Sequence, residues 1–230
     1  MRDRAVPRTG AGGPPSAAAA PALAASMALL LAALIAAGPL LAAVGCDLND
    51  PDRDVKRLFP ESTGFKTLYV SIARQGGDEM LRRVESRLGD TFKGLYETAD
   101  VVYTMYQIFK GTTLIGYIHG INNKGEYGGI QVFLALDLEG NIRGFYFQKL
   151  TGPHAAELRA PDFGKQFVGL NLNDFKDYDP AAGQAKPGSR VAAIKNPAPQ
   201  AEGDFKSALR GTKKNLILCD EFLLGNRYLK

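Results

Sequence analysis

The sequence predicts an α+β domain, built on an antiparallel sheet with packed helices and preceded by an N-terminal membrane-targeting segment. Two pairs of apolar strands joined by short loops, an apolar helix pattern near the C-terminus and an early stretch without charge lead to this fold class. Consecutive strands with short connections pair antiparallel, because a parallel pair needs a long crossover between its strands.

The strand signal is concentrated in the middle of the chain, where two hairpins are expected. The first joins strands at 101–109 and 112–119 through a two-residue turn, which is the spacing of a tight hairpin. The second joins 130–137 and 142–149 through a short loop in which Gly140 tolerates the positive φ of a chain reversal. Together the four strands predict an antiparallel meander.

Further elements are expected on both sides of this meander. A strand at 66–73 and a helix at 77–88 precede it, and a short helix at 161–168 follows it. Residues 179–203 contain four prolines and three glycines, which predicts a long surface loop. The apolar residues of 204–224 recur at helical spacing, so a final helix should pack on the sheet.

The N-terminal region predicts export and membrane attachment. Residues 27–45 carry no charge and, at ~1.5 Å per helical residue, nearly match a hydrocarbon layer of ~30 Å. Arginines precede this run and aspartates follow it, which places the rest of the chain outside the cytoplasm. The run ends in small residues before Cys46, as in a bacterial lipoprotein signal with a lipidated cysteine, although an uncleaved signal anchor is the alternative. We therefore assign 1–46 to targeting, 47–57 to a tether and 58–230 to the domain.

The expected location is the cell envelope, with a periplasmic domain on the outer face of the inner membrane. If the lipoprotein signal is cleaved, Asp47 directly after the cysteine resembles the signal that keeps some lipoproteins in that membrane. Both forms of attachment put the domain in the same compartment.

Composition argues against several other classes of function. The net charge is only +4, and three of the basic residues lie in the leader, so nucleic-acid binding is not expected. Two cysteines cannot form a disulfide scaffold or a multi-cysteine metal cluster, and Cys219 is expected to be a buried apolar side chain. His119 and His154 lack the spacing of a metal pair, and no phosphate loop or dinucleotide fingerprint occurs.

Residues 114–152 resemble the FMN-binding domain of the Rnf complex G subunit and of the sodium-pumping NADH:quinone oxidoreductase C subunit. Residues 126–129 occupy the place of the Gly-Tyr-Gly-Gly-like turn of that family, and 150–153 that of its flavin-contacting Thr-Pro-Gly-like loop. Similar segments at 59–61 and 162–167 extend the resemblance over the whole domain. It implies an FMN site formed by Tyr127, Gly128, Gly129, Thr151 and Gly152.

The attachment motif of the family is altered in this chain. Members with covalent FMN carry Ser-Gly-Ala-Thr before their last helix, and a flavin transferase esterifies the threonine. Thr212 aligns with this acceptor, but Leu209, Arg210 and Gly211 replace the three residues before it. The resemblance makes Gly211, Thr212 and Lys213 the candidate phosphate site, which would be favourable at a helix N-terminus. By pattern alone, Thr212 is either a helix N-cap or a small polar member of the apolar helix stripe.

The resemblance implies an electron carrier or redox-complex subunit that uses FMN and a membrane redox partner, rather than a stand-alone enzyme. FMN held covalently at Thr212 and FMN held without a covalent bond are both compatible with the sequence. The alternative is a non-redox scaffold or adaptor of an envelope complex, because glycine pairs near hairpins more often form turns than ligand sites.

Overall fold

The computed structural model describes residues 46–94 and 97–229. These residues form a five-stranded antiparallel sheet in the order β1-β2-β3-β4-β5, accompanied by helices, which confirms the predicted α+β class. The expected membrane-targeting run at 27–45 lies outside the described residues. Among the described residues, no helix combines the length and the apolar character needed to cross a membrane.

The sheet contains β1 (Gly64–Val70), β2 (Tyr103–Lys110), β3 (Thr113–Lys124), β4 (Gly129–Leu136) and β5 (Ile142–Lys149). Each strand pairs antiparallel with the next one along the chain. Both predicted hairpins are therefore present, and β1 and β5 form the edges of the sheet. Consecutive pairing of this kind keeps every connection between β2 and β5 short.

Six α-helices are formed by the described residues: α1 (Pro51–Leu58), α2 (Ile72–Gln75), α3 (Gly77–Leu88), α4 (Ala155–Leu158), α5 (Pro161–Lys165) and α6 (Glu202–Phe222). The strand expected at 66–73 ends at Val70, because Ser71 caps α2 by accepting a hydrogen bond from the Arg74 amide. The expected loop at 179–203 also includes a two-residue ladder, β6 (Tyr178–Asp179) with β7 (Gln184–Ala185), and a 3₁₀ turn at Pro199–Ala201.

Helix α6 packs across β3 and β4 and, together with α3, covers one face of the sheet. Gly211 is the residue of α6 that allows this close approach. A Cβ atom at this position would lie 3.1 Å from Cδ1 of Ile121 and 3.5 Å from Cγ2 of Val132. Leu216 and Ile217 of the same helix are buried in the core that results.

The opposite face of the sheet is covered by residues 46–59, which corrects the expected tether at 47–57. Asp50 caps α1 by accepting a hydrogen bond from the Arg53 amide at 3.2 Å, and Phe59 after the helix is fully buried. The amide of Leu48 donates to the Tyr106 hydroxyl at 3.0 Å. The segment folds onto the sheet because the apolar residues of this face would otherwise be exposed to water.

Replacement of Phe59 tests whether 46–59 is part of the domain. We expect Phe59→Ala to lower the free energy of unfolding by about 3–5 kcal/mol, since it removes a fully buried ring. Urea denaturation measures the change, and Leu138→Ala, at a side chain that is 37% exposed, is the control with an expected effect within about 0.5 kcal/mol. Equal effects of the two variants would show that the segment is not docked on the sheet.

Gly120 of β3 is paired with Phe133 on the neighbouring strand β4. Replacement of Gly120 tests the packing of the same face of the sheet. A Cβ atom at Gly120 would lie 2.3 Å from Cζ of Phe133, whose fully buried ring stacks on Tyr146 at 5.4 Å and cannot retreat. We expect Gly120→Ala to cost about 1–3 kcal/mol of stability in urea denaturation. Gly64→Ala, with no atom within 4 Å of the added carbon, is the matched control and should leave stability nearly unchanged.

Candidate functional site

The two loops that resemble flavin-contacting loops lie against each other. The Thr151 hydroxyl donates to the carbonyl oxygen of Tyr127 at 3.0 Å. The Tyr127 ring covers Gly152, where an added Cβ atom would lie 2.7 Å from its Cδ2 atom, and the tyrosine remains 47% exposed. Gly128 and Gly129 follow Tyr127 directly and lead into β4. The structure thus brings together all five residues that the resemblance placed in these loops.

Two of these glycines are required by the backbone itself. Gly128 has φ 136° and Gly152 has φ 126°, values that side chains rarely allow. The space beside each glycine is already filled by the protein, since a Cβ atom at Gly128 would lie 3.3 Å from Oγ1 of Thr151 and the Tyr127 ring occupies the space at Gly152. Both glycines therefore serve the contact between the two loops.

The β3–β4 turn is joined to the start of α6. The amide of Glu126 donates to Oδ1 of Asp204 at 2.6 Å, and Nδ2 of Asn123 donates to the carbonyl oxygen of Ser207 at 2.9 Å. The Ser207 hydroxyl in turn donates to the carbonyl oxygen of Lys124. The end of β3, the turn and the first two turns of α6 form one hydrogen-bonded unit, which we call the β3–α6 junction (residues 123–128 and 203–207).

The candidate attachment residues lie elsewhere. Helix α6 begins at Glu202, so Thr212 sits in its middle, about 15 Å along the axis at ~1.5 Å per residue. Its hydroxyl is fully buried and donates to the carbonyl oxygen of Ala208 at 2.8 Å. The expected helix N-terminus at Thr212 is thus corrected: the backbone N–H groups there already belong to the helix and are not available to a phosphate.

Gly211 and Lys213 also have structural roles in α6. Gly211 lies against the sheet, as described above, whereas the Lys213 ammonium is buried and donates to the carbonyl oxygen of Tyr178 at 2.8 Å. Burial lowers the pKa of Lys213 below its usual range, although Asp179 and Asp177 oppose this shift. The structure therefore does not bring Gly211, Thr212 and Lys213 together with the loop residues.

A cavity of about 410 Å³ opens beside the β3–α6 junction. Four cationic side chains line it, namely Lys93, Lys124, Lys206 and Arg210, together with the polar side chains of Asn123 and Ser207. Glu97 is the one carboxylate among the described residues that line it. Its volume lies within the ~300–1,000 Å³ range of small-molecule sites. The cavity has the size and the charge for an anionic ligand.

A buried network of charges underlies this cavity. Arg210 donates through Nε to Asp90 at 2.7 Å and through Nη1 to Glu97 at 2.7 Å, and the Lys214 ammonium donates to the same Glu97 at 2.6 Å. Lys214 is fully buried, and it also donates to the carbonyl oxygen of Asn122 at 2.7 Å. The network joins Asp90 and Glu97 to α6 and to the end of β3.

The two cations determine the ionisation of Glu97. Burial raises the pKa of this carboxyl group, but the attraction of Lys214 and Arg210 outweighs it, and the pKa of Glu97 lies below its ordinary value of 4.5. Glu97 is therefore ionised at neutral pH and neutralises charge that would otherwise be buried without a partner.

The two histidines take no part in this site. His119 is fully buried, and its Nδ1 lies 2.8 Å from Oδ1 of Asn215; burial lowers the pKa of His119 to about 4, so the ring is neutral. His154 lies on the surface, with Nδ1 3.2 Å from Glu157. Across residues 46–94 and 97–229, no three His, Cys, Asp or Glu side chains are placed to hold a metal ion.

Sequence reasoning missed the residues of the cavity and of the network. One signal was present: Arg210 and Lys214 are four residues apart within the apolar pattern of the final helix, where cations must find partners. The partners themselves, Asp90 and Glu97, lie more than a hundred residues earlier in the chain. No local pattern connects the two segments.

Comparisons with known proteins leave the family of this chain open. No family model matches the chain, and no curated protein matches it. Among solved structures, NqrC of Shewanella oneidensis is similar over 76% of this chain and 86% of its own, with 15% sequence identity and a TM-score of 0.45. Function must therefore be inferred from the residues and geometry of this chain.

Removal of only one partner of the Glu97–Lys214 ion pair is expected to destabilise the protein. Glu97→Gln should lower the free energy of unfolding by about 3–5 kcal/mol, because it leaves the buried Lys214 charge without its counterion. Adding Lys214→Met should recover a large part of that loss in urea denaturation. Asp162→Asn, which breaks an exposed pair with Lys165, is the control and should cost less than about 1 kcal/mol. A small effect of Glu97→Gln would contradict a buried pair.

The lowered pKa of Glu97 predicts that the stability of the protein depends on pH. Since the pKa of Glu97 is lower in the folded protein than its ordinary value of 4.5, the unfolded chain binds the proton more readily. The stabilisation is present above about pH 4.5 and is lost as the pH falls through the folded-state pKa. Denaturation midpoints between pH 7 and pH 3 should therefore fall less steeply in the Glu97→Gln, Lys214→Met double variant than in the natural chain.

Proposed function

We propose that this chain is an extracytoplasmic, membrane-anchored FMN-binding protein that carries electrons between a membrane redox partner and an acceptor. One observation carries the proposal. The two loops that resemble flavin-contacting loops, 126–129 and 150–153, meet through the Thr151–Tyr127 hydrogen bond at the edge of the β3–α6 junction. Residues more than twenty positions apart in the sequence thus share one surface, as a common ligand would require.

The chemistry of the neighbouring side chains fits the two parts of FMN. The exposed Tyr127 ring offers an aromatic surface to a flat ring system, and the cavity lined by lysines offers cations to a phosphate. Bound FMN would supply the redox chemistry, while the protein sets its position and its exposure to water. In this proposal the chain acts as an electron carrier or a subunit of a redox complex rather than a stand-alone enzyme.

Thr212 does not fit the role of a covalent attachment site. Its hydroxyl is buried in the middle of α6 and already donates to Ala208, and the helix would have to unfold locally to expose it. Together with the altered residues before Thr212, this favours FMN held without a covalent bond.

The proposed location rests on the N-terminal sequence. The charge-free run at 27–45, the arginines before it and the small residues before Cys46 support export and anchoring, as a lipoprotein or as a signal anchor. The domain would then lie in the periplasm at the outer face of the inner membrane, within reach of a membrane redox partner.

A non-redox scaffold or adaptor of an envelope complex is the second candidate. This candidate is favoured because side chains of the protein itself occupy the space beside its glycines. Tyr127 covers Gly152, Thr151 lies against Gly128, and Ile121 lies against Gly211, so that each glycine serves a contact within the fold.

The absorbance spectrum of the purified full chain distinguishes the two candidates. We expect yellow absorbance that is released by denaturation, with an intact mass that includes no added FMN, and the same FMN content in Thr212→Val. Tyr127→Ala should weaken FMN binding by about ten-fold or more through loss of ring contact. Tyr69→Ala, at a tyrosine that is 65% exposed on β1, is the matched control and should bind FMN as the natural chain does.

Two results would contradict the proposal in different ways. Colour that survives denaturation, together with an added FMN mass that disappears in Thr212→Val, would establish covalent attachment. A colourless protein that takes up no added FMN would leave the scaffold as the better description.

A further inference from the structure

We infer that the cavity beside the β3–α6 junction binds a phosphate monoester, and that Lys124 and Lys206 hold its phosphate in the positive field of Arg210. The identity of the ester as FMN rests on the proposed function, whereas the phosphate chemistry rests on the cavity alone. The inference moves the phosphate site away from Gly211, Thr212 and Lys213, which the sequence resemblance had indicated.

The charge balance around the cavity favours an anion. Four cations line the cavity, namely Lys93, Lys124, Lys206 and Arg210, and a fifth, the buried Lys214, pairs with the lining Glu97. Three carboxylates are paired with them, namely Asp90, Glu97 and Glu202. Among the described lining residues, four cations stand against the single carboxylate of Glu97, so the cavity wall carries an excess of positive charge, which favours a phosphate monoester at pH 7.

Arg210 supplies a fixed charge rather than hydrogen bonds. Its guanidinium donates to Asp90, to both carboxylate oxygens of Glu97, to Oδ1 of Asn123 at 2.7 Å and to the carbonyl oxygen of Thr91 at 3.1 Å. These contacts use the five N–H donors of the group, so Arg210 is held rigidly at the cavity wall. A preorganised charge of this kind attracts an anion without having to be ordered when the anion binds.

Lys124 and Lys206 can supply the hydrogen-bond donors for a phosphate, because those of Arg210 are already used. Lys124 forms no ion pair within the described part of the chain, and it is exposed at the end of β3. Lys206 is 42% exposed at its side chain, and its one ion pair among the described residues is with Glu202, at 3.4 Å. An exposed pair at that distance contributes little to stability, so Lys206 can turn to a ligand at small cost.

The position of the cavity connects it to the proposed flavin surface. Lys124 is both the last residue of β3 and a lining residue of the cavity, and the turn that carries Tyr127 starts directly after it. The carbonyl oxygen of Lys124 is held by Ser207, another lining residue. A ligand with a phosphate at one end and a ring at the other can therefore place its phosphate in the cavity and its ring against Tyr127.

Three probes test this site on the full chain: FMN, riboflavin and inorganic phosphate. Calorimetric titration measures their affinities, and thermal denaturation measures how far each probe stabilises the protein. FMN should bind at least about ten-fold more tightly than riboflavin, which lacks the phosphate, because charge-assisted hydrogen bonds are lost without it. Lys124→Glu with Lys206→Glu should remove this difference and leave riboflavin affinity unchanged. The control is Lys66→Glu with Lys110→Glu, which makes the same change in net charge at two exposed lysines far along the sequence and should retain the difference.

The outcomes separate this inference from the proposed function. Equal affinity for FMN and riboflavin would overturn the phosphate site and leave flavin binding intact. A second outcome is that no flavin binds, but inorganic phosphate stabilises the natural chain and not the Lys124, Lys206 double variant. This result would support the phosphate site and reject FMN as its ligand. If none of the three probes binds, both are overturned. Circular dichroism and the melting temperature of the double variant show whether it folds, and a Lys124→Gln, Lys206→Gln variant repeats the test with a milder change.

Discussion

Burial of a polar helix is the constraint on which the rest of this structure depends. Helix α6 is buried along most of its length, although its buried residues include charged and amide side chains. Each of these groups must be paired inside the protein, because an unpaired buried charge costs several kcal/mol. Lys214 is paired with Glu97, Lys213 with the carbonyl oxygen of Tyr178, Asp204 with the amide of Glu126, and Asp220 with Arg87. These contacts tie a different segment of the chain to each part of the helix.

The candidate site is a consequence of the same constraint. Arg210 and Lys214 hold Asp90 and Glu97 against α6, and Asp204 and Ser207 hold the end of β3 and the turn after it against the first turns of this helix. The cavity opens between these two sets of contacts. Its charge is therefore held in place by interactions that also stabilise the fold, which favours a preorganised ligand site. Of the cations that line the cavity, Lys206 is 42% exposed at its side chain, whereas Arg210 is 13% exposed.

The second face of the sheet bears on how the domain would meet a membrane. Because residues 46–59 are docked on the sheet, Cys46 belongs to the folded domain and not to a tether. Lipidation of Cys46 would require its thiol to leave this apolar cluster, in which the side chain is 4% exposed.

The sequence by itself determined those features whose cause is local. The two hairpins follow from short turns between apolar strands, and the final helix follows from apolar spacing, whereas the loops at 126–129 and 150–153 were singled out by their resemblance to a known family. The contact between these two loops, the docking of 46–59 and the pairing of Asp90 and Glu97 with Arg210 and Lys214 were decided only by the tertiary structure. Thr212 illustrates the difference, since the sequence showed a small polar residue near basic ones, but only the fold determined that its hydroxyl is buried. The physical reason is that burial and charge pairing depend on distances in space between residues remote in the chain, and local patterns do not contain these distances.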